Sequence, residues 1–83
     1  MMVGMKALVV NGHTEERRSL VAALSRLEGV VVQCALSDLE TATRVLERFT
    51  PDLLVIGTEL ADGDGIRLVE WARHSFLPKV LAL

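Results

Sequence analysis

Apolar positions change period along this chain, and the changes alternate. Residues 6–10 form a short apolar run of the length and composition of a strand. Thr14 then offers an N-cap, Glu15 and Glu16 suit the first turn of a helix, and Leu20, Leu24 and Leu27 follow at i, i+4 and i+7. This predicts an amphipathic helix ending near Gly29. The β-branched run at 30–34 predicts a second strand. Ser37 and Glu40 have the spacing of a capping box, and Leu39, Ala42, Val45, Leu46 and Phe49 continue at helical period until Pro51 approaches. Leu53–Ile56 is apolar on both faces, as a central parallel strand is. Residues 59–65 read as a loop with two aspartates and two glycines, followed by a third helix marked by Ile66, Val69 and Ala72 or Arg73. Pro78 closes that helix, and residues 79–83 read as a fourth strand. Strands alternating with helices predict an α/β domain with a parallel sheet.

Composition narrows the reading. A chain of 83 residues allows one domain, 1–83, and 51% hydrophobic with 24% charged residues argues for a folded core over disorder. Every apolar run is far shorter than the roughly 20 residues of a bilayer-spanning helix, and the N-terminus lacks the features of a secretory signal. With one cysteine, Cys34, no internal disulfide can form, so a cytoplasmic location is expected. Net charge is −2 and the nine basic residues are spread along the chain. Neither nucleic acid nor membrane is an expected partner of this segment.

The segments Ala7-Leu-Val-Val-Asn-Gly-His, Pro51-Asp-Leu-Leu-Val-Ile-Gly and Ala61-Asp-Gly-Asp-Gly65, in this order of elements, resemble the receiver domain of two-component response regulators. The resemblance implies a flavodoxin-like, doubly wound parallel sheet. Here it would be truncated to four strands, in the order 2-1-3-4, with three helices. In that family an acidic pair at the end of the first strand holds magnesium, and an aspartate ending the third strand accepts a phosphoryl group. Those positions fall on Asn11, Gly12 and Gly57. Leu60-Ala61 stands for the family's Met-Pro, while Asp64-Gly65 keeps its Asp-Gly. Magnesium binds through carboxylate and phosphate oxygens, and an acyl-phosphate needs a carboxylate. The expectation is therefore a site with no catalytic residue, metal or cofactor.

The resemblance also implies a fourth helix, a fifth strand and a fifth helix after the fourth strand, with a threonine or serine and a lysine that would transmit phosphorylation; the chain does not include them. On this reading Lys79, Val80, Leu81, Ala82 and Leu83 form an exposed apolar edge that needs a cover. A second copy would make a homodimer there. Another protein, or the remainder of a longer gene product, are the alternatives.

Other residues have competing readings. Asp62-Gly-Asp-Gly65 lacks the oxygen ligand at Ile66 and the glycine at Arg67 that a calcium loop needs, so an Asx cap for the third helix is expected. His13 is expected as a loop residue at the first helix cap, with a ligand or base role as the alternative. Glu59 lies two residues past Gly57, where it could line the site and hold a cation with Asn11. Cys34 reads as a small core residue and Glu15, Glu16, Arg17 and Arg18 as a solvated helix face. Trp71 and Phe76 are either a contact patch or partly buried.

Two functional classes remain. The first is a pseudo-receiver that binds a signalling protein without phosphorylation, in two-component-type signal transduction. The second is a small-ligand or nucleotide-binding α/β domain, since doubly wound sheets place ligands at the carboxyl ends of their strands, where Asn11, Gly12, Gly57 and Thr58 fall. No GxGxxG, Walker loop or catalytic triad pattern supports an enzyme. A third reading makes the chain the N-terminal part of a larger regulator with an output domain.

Overall fold

The computed structural model describes residues 4–75 and 79–82. In chain order the elements are β1 (Met5–Val10), α1 (Thr14–Ser25), β2 (Val30–Leu36), α2 (Leu39–Arg48), β3 (Leu53–Ile56), β4 (Glu59–Leu60), β5 (Gly63–Asp64), α3 (Gly65–Ser75) and β6 (Lys79–Ala82). β2, β1, β3 and β6 make one four-stranded sheet in that order, and β4 pairs with β5 in a small hairpin. Every pairing in the main sheet is parallel. This is the 2-1-3-4 order expected of a flavodoxin-like fold, with β6 as the fourth strand. Leu83 and Phe76 lie outside the described residues.

The sheet is covered on both faces, which is why β1 and β3 can be apolar throughout. Ala7, Val9, Leu53 and Val55 face α1, which lays Leu20, Val21 and Leu24 over them. Leu8, Val10, Leu54 and Ile56 face the opposite way and pack with Ala42 and Leu46 of α2 and Leu68 and Ala72 of α3. β2 serves both layers through an irregularity in its register. Ala7 pairs with Val32 but Leu8 pairs with Cys34, so Gln33 is an extra residue. A bulge of one residue turns the following side chains to the other face. Val30 and Val32 therefore pack under α1, while Cys34 and Leu36 pack in the α2–α3 layer. Cys34 is half-buried there, as a small core residue.

Several boundaries differ from the sequence reading. α1 stops at Ser25 and is capped at Arg26, so Leu27 lies beyond it and is 55% exposed. Gly29 adopts φ 83°, a left-handed conformation that glycine takes without steric cost, and the chain reverses there into β2. Thr14 is the first helical residue, and the cap position belongs to His13, whose own side chain makes no cap bond. The Asn11 Oδ1 instead accepts the His13 N–H at 2.7 Å.

The Ser37–Glu40 capping box does not form at α2. Asp38 is the cap and accepts from Thr41 N–H at 2.9 Å and Thr41 Oγ1 at 2.7 Å. These bonds hold the Asp38 carboxyl below the usual carboxylate range. Asp62, from the β4–β5 turn, adds a second carboxylate that accepts from Leu39 N–H at 2.5 Å and Glu40 N–H at 3.1 Å. Aspartates outcompete the serine because a full negative charge also gains from the positive end of the helix. Glu40 pairs with Arg44 at 2.9 Å on the open surface, where such a pair contributes little. At α3 the expected Asx turn is present, with Asp64 Oδ1 accepting from Ile66 N–H at 2.9 Å.

Candidate functional site

The carboxyl ends of β1 and β3 bring Asn11, Gly12 and Gly57 together. Gly57 N–H donates to the Val10 carbonyl at 2.8 Å, which continues the parallel ladder one residue past β3 and fixes Gly57 beside Asn11. His13, Glu16, Thr58 and Glu59 complete the lining of a shallow cleft of ≈ 190 Å³.

Asn11 is 2% exposed, and each of its polar groups has a partner. Its Oδ1 accepts from His13 N–H, its Nδ2 donates to Glu16 Oε1 at 3.2 Å, and its carbonyl accepts from Arg17 Nη1 at 3.0 Å. Two members of the presumed solvated face, Glu16 and Arg17, are thus anchored to the strand end. The missed signal was their position in the first turn of α1, five and six residues after an asparagine that needs partners for a buried amide.

The three glycines here are tightly enclosed. A Cβ on Gly57 would lie 2.9 Å from Asn11 Nδ2 and 3.2 Å from Asn11 Cγ. One on Gly12 would lie 2.5 Å from the Glu59 carbonyl oxygen, to which Gly12 N–H donates at 3.0 Å. One on Gly65 would overlap the Gly57 carbonyl oxygen at 1.9 Å. The space where the resemblance places a phosphoacceptor side chain is therefore filled by the Asn11 amide. Where the resemblance places a carboxylate pair, the structure has the Asn11 amide and Gly12 in close backbone contact. Among the described residues no group of three or more His, Cys, Asp or Glu side chains is placed to hold a metal ion.

Glu59 does not meet Asn11; its Oε1 lies 2.7 Å from His13 Nε2 across the mouth of the cleft. That hydrogen bond raises the His13 pKa, with the charges of Glu16 and Glu59 acting in the same direction and partial desolvation opposing them. A histidine whose folded-state pKa is raised favours the fold while protonated. Its contribution is present below pH about 6.5 and fades as the pH rises through the folded value. Both side chains are more than half exposed, so salt screens the effect. An NMR titration of His13 should give a midpoint above about 6.5, falling toward that value in Glu59→Gln. An unshifted midpoint would mean the pair does not persist in solution.

The proposed edge residues Lys79, Val80, Leu81 and Ala82 form β6, which pairs with β3 through Leu53–Lys79 to Ile56–Ala82 and ends the strand order. Trp71 is half-buried against the α2–α3 layer. No helix among the described residues is long and apolar enough to cross a membrane.

No family model matches the chain, and no curated protein matches it. Solved structures do. The response regulator RcsB of Salmonella enterica serovar Typhimurium, bound to promoter rprA in the presence of the phosphomimetic BeF3−, superposes with a TM-score of 0.82 at 19% identity, covering 95% of this chain. A second RcsB structure, from Salmonella typhimurium, gives a TM-score of 0.82 at 21% identity and 98% coverage. A third, of two RcsB dimers bound to two parallel DNAs, gives 0.81 at 20% identity and 96% coverage. The chain spans only 41% to 45% of those proteins. At such identities the likeness speaks for the fold, and the strand order and the three helices agree with it: the chain has the receiver-domain fold of response regulators.

Proposed function

We propose that this chain is a pseudo-receiver, a domain of two-component-type signalling that binds a protein partner without being phosphorylated. The observation that carries the reading is Gly57, a residue with no side chain at the end of β3, packed against a buried amide at Asn11. Phosphoryl transfer to a receiver needs a carboxylate nucleophile and a metal ion to neutralise charge on the transferring group. Asn11, Gly12 and Gly57 supply neither. The domain on this reading has no catalytic activity of its own, needs no cofactor and works in the cytoplasm.

Incubation with acetyl phosphate and magnesium should leave the intact mass unchanged. A gain of one phosphoryl group would overturn the proposal. The partner surface proposed is the outer edge of β6, where a second copy would extend the sheet or exchange an element. Light scattering behind size-exclusion chromatography should then give a dimer, and a monomer across the accessible concentrations would remove the edge from the proposal.

The partial coverage of the RcsB structures favours a second reading, in which this segment is one part of a larger regulator. Two of the matched structures are bound to DNA, as dimers in one case. A DNA-binding function here would belong to an output domain beyond this segment. An antibody against the segment that detects a longer protein in the source cells would support this reading; detection of the short chain alone would overturn it.

A further inference from the structure

On the proposed reading of a receiver that works without phosphorylation, the geometry points to a built-in lock. Contacts keyed by the size-matched pair Asn11 and Gly57 hold the segment from β3 to α3 in one arrangement. The lock stands where a phosphoryl switch would otherwise act.

The contacts form a closed circuit around the carboxyl ends of the strands. Asn11 N–H donates to the Leu36 carbonyl at 2.9 Å and joins the end of β1 to the end of β2. From there Ser37 accepts from Ala61 N–H at 2.9 Å, and Asp62 accepts the first free N–H groups of α2, which joins the β2–α2 turn to the β4–β5 hairpin. The hairpin returns to the first loop through Glu59, whose carbonyl takes Gly12 N–H and whose carboxylate meets His13. Gly65 N–H donates to the Thr58 carbonyl at 3.0 Å and closes the base of the hairpin onto α3. Each of the three loops is thus bound to the other two.

Asn11 and Gly57 key the circuit because each requires the other. A side chain at 57 would press on the Asn11 amide at 2.9 Å, inside the closest approach that Cβ atoms ordinarily make. The amide in turn cannot swing away without giving up His13 N–H and Glu16. It must also be an amide. A carboxylate at 11 would set two negative oxygens about where Nδ2 now meets Glu16 Oε1 at 3.2 Å, and like charges at that range repel. The residues that would restore the acidic site are therefore each opposed by the packing that has replaced it.

The test is a double-mutant cycle on the full 83-residue chain with Gly57→Ala, Asn11→Ala and the pair. Thermal unfolding is measured together with hydrogen exchange at Gly12, whose N–H lies on the seam between the loops. Gly57→Ala should lower Tm by roughly 5–15 °C in the wild-type background and by less than half of that beside Asn11→Ala. Asn11→Ala adds no bulk, and it should raise Gly12 exchange by about tenfold through loss of the amide's bonds. Additive Tm changes, or Gly12 exchange unmoved in Asn11→Ala, would overturn the lock. If Gly57→Ala fails to fold, the Asn11→Ala exchange result still decides. The mass of the wild-type chain after acetyl phosphate and magnesium is read in parallel. A phosphoryl gain overturns the pseudo-receiver reading, whereas an unchanged mass with an additive cycle removes the lock alone.

Discussion

Gly65→Ala is expected to lower Tm by roughly 12–24 °C, with a corresponding loss of helical circular dichroism at physiological temperature. The added methyl would stand 1.9 Å from the Gly57 carbonyl oxygen and 2.9 Å from Ile56 Cγ2. The first of these is a backbone atom at the end of β3 and cannot rotate aside, unlike the tip of a flexible side chain. Relief requires α3 to withdraw from the sheet, which also breaks the bond from Gly65 N–H to Thr58. Overpacking of a tight site costs about 1–3 kcal/mol, and a rigid obstacle belongs at the top of that range. In a domain of this size each kcal/mol moves Tm by about 4–8 °C. A shift under about 4 °C would mean that the β3–α3 connection slides freely, and the packing described for all three glycines would then need revision.

Leu54→Ala should be the most damaging truncation of an aliphatic side chain. Leu54 is fully buried at the centre of β3, beneath both α2 and α3, among Leu8, Val10, Ile56, Leu46 and Leu68. Removing a leucine side chain from such a site costs about 2–5 kcal/mol, because the transfer energy is lost and a cavity remains. A chain of this length has only about 4–12 kcal/mol in total. Urea unfolding should show the midpoint falling by at least about a sixth, with an unchanged slope. Val31→Ala offers the contrast, since Val31 is 48% exposed and should shift the midpoint by no more than about 0.5 kcal/mol equivalent. Similar effects of the two substitutions would contradict the assignment of the core.

The main sheet was legible in the sequence because period and length suffice to find strands that are apolar on both faces. Leu53–Ile56 emerged with the same bounds, and β1 and β6 within a residue of theirs among the described residues. The sequence reading failed where competing local signals had to be ranked. Thr14 and Ser37 are both good cap residues by type, yet the caps went to His13 and Asp38. The decisive partners, Asn11 and Asp62, reach the helix starts from other loops, and no local pattern carries that information. Leu27 fell at the right period for α1, but the helix had already ended.

The site was half legible. Asn11, Gly12 and Gly57 were found by their resemblance to an acidic site, and that comparison described them by what they lack. Their packing against one another, and the roles of Glu16, Arg17 and Asp62, depend on distances between separate loops. Such distances follow from the strand register, so they become visible only when the sheet is assembled.

The two layers covering the sheet also differ in what they can report. Trp71 is the sole tryptophan, the chain has no tyrosine, and Trp71 packs in the α2–α3 layer. The opposite layer, built from α1 on Ala7, Val9, Leu53 and Val55, contains no aromatic residue among those described. Intrinsic fluorescence therefore observes one side of this molecule. Detachment of α1 alone would pass unseen by emission while changing the far-ultraviolet signal, so non-coincident transitions by the two methods would locate the loss of cooperativity on the α1 side.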